Sequence, residues 1–209
     1  MTNHIEKNEI ILSGASISPH VRKVMVAVAE KKLRYALNEI LPISLLKATG
    51  QNTPKEFQLT SPLGKIPAIQ IGSHGISDST VIEKYLERNY KTRHNLYPKI
   101  PEAYGESIWF EQYSDTALTD ACYKKIFLEG VIKPTALNIN ADSTIINKAI
   151  DNELPSLLRF LDSKPSNRKY FSGDTFSMAY IAITTQLMSL EMHGIKIERQ
   201  YKNLKNHFE

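Results

Sequence analysis

The chain has 209 residues, with 26 Lys and Arg against 22 Asp and Glu, and it is 42% hydrophobic and 23% charged. That is an ordinary globular composition, long enough for two compact domains. Its basic residues are scattered rather than gathered into a nucleic-acid-binding stripe, and no apolar run approaches a membrane span. One cysteine, Cys122, excludes an internal disulfide and an all-cysteine metal site.

Met1 to Asn8 is polar and charged, without the apolar centre of a secretory leader. With the lone cysteine this fits a reducing compartment, so the expectation is cytoplasmic. Ile10-Ile11-Leu12 reads as a buried strand that ends in the small-residue loop Ser13 to Ser18. Pro19 suits the first turn of a helix with Ser18 as its N-cap. That helix is predicted over Pro19 to Lys31, with Val21, Val24, Met25, Val28 and Ala29 on one face and Arg22, Lys23 and Glu30 off it. Tyr35 to Leu41 alternates loosely as a second strand, which completes a βαβ unit. One short helix is expected somewhere in Ile43 to Leu59.

Pro62 and Gly64 then mark a turn, and Ala68-Ile69-Gln70-Ile71 a strand. Pro67 stands at the strand start, where sheets tolerate proline and where a cis X-Pro bond would be kept for function. A cis Ile66-Pro67 bond would turn the N–H and C=O of Ile66 outward, toward an extended peptide ligand. Gly72 to Gly75 turns the chain into a second hairpin strand, and a helix follows over Ser79 to Asn89. Asp78-Ser79 lie at its start, where unpaired N–H groups and the helix dipole favour an anion. A carboxylate side chain beside that anion suits a ligand carrying both a carboxylate and an ammonium on one carbon. Lys91 to Ile100 reads as a linker. It separates domain 1–90 from domain 101–209, in which nearly everything reads as helix: Glu102 to Leu128, Thr144 to Leu161, Phe176 to Met192, and Tyr201 to Phe208.

Ser18 is the main candidate for chemistry. The plain reading is a helix cap; the functional one is a hydroxyl that donates to a bound thiolate, whose pKa a helix start lowers. Ser16 is the rival donor. Neither serine has a His/Asp partner at a recognisable spacing or a nucleophile elbow around it. The histidines at 4, 20, 74, 94, 193 and 207 show no metal-ligand spacing. His20 could line a site beside Ser18, although a solvated histidine at a helix start is the plainer reading. Trp109 and Tyr113, four residues apart on the long helix, either pack in the core or line an apolar substrate cleft.

Together these residues resemble the glutathione transferase superfamily. Ser18-Pro19-His20-Val21-Arg22-Lys23-Val24 is similar to its catalytic loop and first helix. Ser61-Pro62-Leu63-Gly64-Lys65-Ile66-Pro67-Ala68-Ile69 resembles its Asn-Pro-x-Gly-Lys-Val-Pro-x-Leu segment, with Ser61 in place of the Asn. Asp78-Ser79 resembles its Glu/Asp-Ser pair. Gly173 to Ala179 resembles the capping segment before its buried helix, although Tyr180 stands where an aspartate is usual and breaks the capping box. Tyr201-Lys202-Asn203-Leu204 is similar to its Tyr-Pro-x-Leu ending.

The resemblance implies a thioredoxin-like N-terminal domain of order βαβ-α-ββα followed by an all-α helical-bundle domain. It implies glutathione as co-substrate, held by Lys65, Ile66, Pro67, Asp78 and Ser79 and activated by Ser18, a small electrophile as second substrate, a homodimer and no metal. Two other readings carry the same fold. A non-catalytic, starvation-type transcription co-regulator would not need the glutathione residues that persist here. A glutathione-dependent isomerase would carry a Ser-Ser-Cys loop, which Ser18-Pro19-His20 lacks.

Overall fold

A computed structural model describes residues 10–91, 94–164, 169–197 and 200–206. The chain divides between Asn95 and Leu96 into two compact units. In the first, strand β1 (Ile10–Ser13) leads to helix α1 (Pro19–Glu30) and strand β2 (Tyr35–Asn38). Helices α2 (Ile43–Ala48) and α3 (Lys55–Thr60) follow, then β3 (Ala68–Ile71), β4 (His74–Ser77) and α4 (Ser79–Asn89). The sheet order is β2-β1-β3-β4, with β1 and β2 parallel and the other pairs antiparallel.

Two expectations are corrected here. The stretch 43–59 holds two short helices, each entered from an extended proline, Pro42 and Pro54. Both helices are single turns and a half, too short to show a periodic apolar face. Strand β2 also ends three residues early, at Asn38, because Ser13 is the last residue of β1 available to pair with it.

The core of this unit is apolar on both sides of the α1–sheet interface. Ile10, Leu12 and Ile69 pack with Val21, Val24 and Val28 of α1 and with Ile82 and Leu86 of α4. Lys23, read from the sequence as lying off that face, is 1% exposed and inside it.

The second unit is helical. Helix α5 (Pro101–Tyr113) continues without a break through a segment of wider, π-type winding (α6, Ser114–Ile132) into a last turn, α7 (Lys133–Ala136). Helices α8 (Ser143–Lys148), α9 (Ala149–Glu153, again π-type) and α10 (Leu154–Asp162) form a second continuous run. Helix α11 (Met178–Met192) is buried along most of its length, and α12 (Lys202–Asn206) packs by Leu204. Phe208, expected in that last helix, lies outside the described residues. Phe110, Leu118, Ile126, Leu158, Ile183 and Leu187 are among the side chains of its core.

The broken capping box is visible at α11. Ser177 makes no side-chain cap bond; its hydroxyl pairs instead with that of Ser172 at 2.7 Å, both buried. Tyr180 stands in an aromatic cluster, 5.4 Å from Tyr170 and 5.5 Å from Phe176 between ring centres. Edge-to-face packing of this kind holds the preceding loop on the helix, where a carboxylate would have bonded the chain directly.

Gly64 fixes the turn before β3. Its φ is +66°, a conformation that costs a side chain about 1–2 kcal/mol. A Cβ added there would lie 2.6 Å from Cβ of Ile43 at the start of α2. Its carbonyl accepts from Ile43 N–H at 2.8 Å, and its own N–H donates to the Ser61 carbonyl at 2.8 Å. Strain and overpacking therefore add, and Gly64→Ala should cost roughly 2–5 kcal/mol of unfolding free energy in urea denaturation. A loss below 0.5 kcal/mol would show that the turn moves freely away from α2.

Candidate functional site

The register places four strand ends side by side. Asn38 of β2 pairs with Ser13 of β1, Ser13 with Ala68 of β3, and Ala68 with Ser77 of β4. The three segments singled out for glutathione leave or enter the sheet at this edge: the loop to Ser18, Ile66-Pro67, and Asp78-Ser79. Because β1 and β4 both end here, α1 and α4 both begin here. Two helix N-termini, with their unpaired N–H groups and positive dipole ends, face the same side.

Helices α1 and α4 are joined by charge. Lys23 Nζ lies 3.3 Å from Glu83 Oε2, and both side chains are buried. It also donates to Thr80 Oγ1 at 3.3 Å. Two turns further on, at the C-cap of α1, Lys31 Nζ lies 2.6 Å from Glu87 Oε2 and donates to the Tyr90 carbonyl at 3.1 Å. Advancing along α1 thus advances along α4, so the two helices run in the same direction. The sequence offered a signal for this: Lys23, Ala27 and Lys31 repeat every fourth residue beside Val24 and Val28, and Glu83 and Glu87 do the same on α4. Charged residue types concealed it.

Ser18 stands at the N-cap of α1 and is buried, at 5% exposure. Its N–H donates to the Ala15 carbonyl and its carbonyl accepts from Arg22 N–H. The hydroxyl makes no cap bond and has no hydrogen-bond partner among the described residues. The capping reading predicts that bond, so the side chain is left available at the helix start. Ser16 is exposed; its carbonyl and that of Ile17 accept from Arg22 Nη1, at 3.4 and 2.7 Å. His20 is half-buried in the first turn of α1.

The Ile66–Pro67 peptide is cis. Neither the N–H nor the C=O of Ile66 has a partner among the described residues, whereas the Pro67 carbonyl accepts from Asp78 N–H at 3.3 Å. Ser61, fully buried, donates its hydroxyl to the Lys65 carbonyl at 2.7 Å and holds the turn from inside. The Lys65 side chain is exposed. Ile66 is also close to the Ser18 loop, since a Cβ built on Gly14 would lie 3.5 Å from Ile66 Cβ.

Asp78 has φ +80° and ψ 126°, sparsely populated for a residue with a side chain. Such outliers gather where a site needs the backbone in one place. Its Oδ1 accepts from Val81 N–H at 3.2 Å, which caps α4. The side chain is exposed and Ser79 beside it is buried, so the Asp78 carboxylate would meet a ligand at the solvent boundary.

Trp109 and Tyr113 belong to the second unit. Their rings stack at 5.4 Å, and both pack against Phe160. The Tyr113 hydroxyl donates to the Leu157 carbonyl, and burial holds its pKa above the ordinary value. Packing accounts for Tyr113, while Trp109 keeps 49% of its surface exposed. Cys122 is fully buried, which pushes its thiol up to about 12 and leaves it inert. No group of three or more His, Cys, Asp or Glu that could hold a metal occurs among the described residues, and no helix there is long and apolar enough to cross a membrane.

Residues 12–94 match the family model for the glutathione S-transferase N-terminal domain. The chain is 27% identical over 170 residues to a glutathione S-transferase of Hyoscyamus muticus, covering 80% of this chain and 76% of that one. It is 29% identical over 175 residues to maleylacetoacetate isomerase of Rattus norvegicus, covering 84% and 75%. The crystal structure of a glutathione S-transferase from Rhodospirillum rubrum F11 superposes with a TM-score of 0.83 at 22% identity, covering 95% of this chain and 86% of that one. The first unit of this chain carries the glutathione S-transferase N-terminal domain, and the matches in sequence and fold support the glutathione transferase superfamily. Its four-stranded mixed sheet with flanking helices, followed by a helical unit, is the fold of that family.

The buried Lys23–Glu83 pair explains how this chain keeps its two helix starts together. Leaving one buried charge unpaired costs about 3–5 kcal/mol, whereas replacing both partners with apolar side chains is often close to neutral. Lys23→Ala alone should therefore destabilise the protein by about that amount in denaturant titration. Lys23→Met with Glu83→Leu should recover most of the loss. Equal stability of the single and double variants would show that the charges are not coupled.

Proposed function

We propose that the protein is a glutathione transferase of serine type, in which the Ser18 hydroxyl stabilises the glutathione thiolate for attack on a small electrophile. The observation that carries this reading is the Ser18 hydroxyl itself: buried at a helix start, in the loop that meets Ile66 at Gly14, and without a partner among the described residues. The γ-glutamyl end, with its carboxylate and ammonium on one carbon, would lie at Ser79 and Asp78. The helix start answers the carboxylate and Asp78 answers the ammonium. The cysteinyl segment would pair with the Ile66 backbone in the manner of an added strand. The sulfur would then lie near Ser18.

In this mechanism the bound thiol loses its proton to solvent. The thiolate is held by the Ser18 O–H and the α1 dipole, which favour the charged form. It then attacks the electrophilic carbon; a C–S bond forms and the leaving group departs with the bonding pair. Cytoplasmic location, homodimer assembly and a role in detoxification accompany this proposal as family expectations. A second reading, glutathione-dependent isomerisation, is favoured by the 29% identity to the rat isomerase. The absence of a serine-serine-cysteine loop after β1 weighs against it.

Ser18→Ala should raise the pKa of bound glutathione by roughly one to two units, the worth of one charge-assisted hydrogen bond at about 1.5–3 kcal/mol. Glutathione affinity should change little. Conjugation near neutral pH should fall and recover as the pH rises through the new pKa, because only the thiolate reacts. Ultraviolet thiolate titration of the complex reads the shift directly, with Ser16→Ala as the control. An unmoved pKa in Ser18→Ala, with a shift in Ser16→Ala, would transfer the role to Ser16. No shift in either would remove thiolate activation by this loop.

A further inference from the structure

The strand-end row that organises the site continues past Ser18 to β2, and a pocket of about 370 Å³ opens there. Its wall includes Ala15 of the Ser18 loop, Asn38 at the end of β2, Glu39, and Gln51 and Asn52 of the segment between α2 and α3. Asn38 Nδ2 donates to Ser13 Oγ at 3.1 Å, and Gln51 Nε2 donates to Thr49 Oγ1 at 3.0 Å. The polar lining is therefore three amides and one carboxylate. No Lys, Arg or His lines this pocket among the described residues.

Neighbouring strands lie about 4.8 Å apart, so the row from β4 to β2 is roughly 14 Å wide. An extended three-residue peptide reaches roughly 10 Å, and a γ-linkage lengthens it. A γ-glutamyl thiol with its glutamyl end at Ser79 and its cysteinyl segment on Ile66 therefore carries its C-terminal end past Ala15 into this pocket. We propose that the pocket receives the C-terminal end of the thiol peptide through neutral amide contacts rather than an ion pair. The protein would accordingly accept γ-glutamyl thiols whose C-terminus is a carboxamide as well as it accepts free glutathione. A carboxylate there finds Glu39 and no cation, while a carboxamide finds both donors and acceptors in Asn38, Gln51 and Asn52. Charge complementarity at such a site sets specificity as much as affinity. This inference rests on the glutathione reading of the same site.

The test compares glutathione with its glycinamide analogue by calorimetry on the full chain, and repeats both with Gln51→Lys. The two thiols should bind the wild-type protein within about twofold of each other. The lysine variant should prefer the free carboxylate by tenfold or more, as a charge-assisted contact would. A tenfold or greater loss for the amide on the wild-type protein would overturn the proposal, because a cation outside this lining would then hold the carboxylate. An unchanged ratio in Gln51→Lys would overturn it as well, by showing that the C-terminal end lies elsewhere. Failure of both thiols to bind at millimolar concentration would overturn the glutathione reading itself and this inference with it, a result distinct from a ratio that merely differs.

Discussion

Two ion pairs, one fully buried and one with a half-buried glutamate, hold the first unit in the arrangement on which its chemistry depends. Lys23–Glu83 and Lys31–Glu87 bridge α1 and α4 inside an interface otherwise built of valine, isoleucine and leucine. Apolar contacts alone would leave two smooth helices free to slide by a fraction of a turn. A buried ammonium and carboxylate have no low-energy alternative, because separating them leaves each desolvated and unpaired. Lys23 also reaches Thr80, one residue beyond Ser79. The contact therefore fixes the start of α4 relative to the helix that begins at Ser18. Specificity of this kind is a more secure role for buried pairs than net stabilisation.

What the clamp positions is mostly backbone. The four strand ends, the two helix starts and the unpartnered Ile66 amide and carbonyl present donors and acceptors that no substitution of side chains can remove. Side chains add charge and selectivity around them: Ser18 at one helix start, Asp78 and Ser79 at the other, and the amides beyond Ala15. A site built this way tolerates wide sequence drift. That is consistent with a chain that keeps the superfamily fold at 22–29% identity to the three relatives compared above.

The sequence made this edge legible because its signals are local. Pro19 after a small-residue loop, Pro67 before a short apolar run, and Asp78-Ser79 before an amphipathic segment each specify an element boundary by backbone chemistry. The helices at 19–30 and 79–89 emerged close to their expected limits for the same reason. The two buried lysines did not emerge, since their fourth-residue spacing beside the valines was masked by a charged residue type whose usual place is the surface, and their partners lie 56 and 60 residues away. The split of 43–59 into α2 and α3 was hidden because six-residue helices are decided by tertiary contacts such as Ile43 on Gly64. The free hydroxyl of Ser18 was equally out of reach: the sequence places a serine at a cap, but only geometry reveals whether it caps. The pocket beyond Ala15 is assembled from three separate segments, and no one of them looks like a site by itself.

The central claim is that a thiol peptide lies across this strand edge and pairs with Ile66. Amide-resolved nuclear magnetic resonance of the full chain, titrated with glutathione, tests it most directly. Binding should shift the amide signals of Ile66, Ser79 and Ala15 together, at one common affinity, and slow hydrogen exchange at the Ile66 N–H as it gains an acceptor. Shifts that spare Ile66, or that cluster at Trp109 and Tyr113 while this edge stays unmoved, would contradict the account.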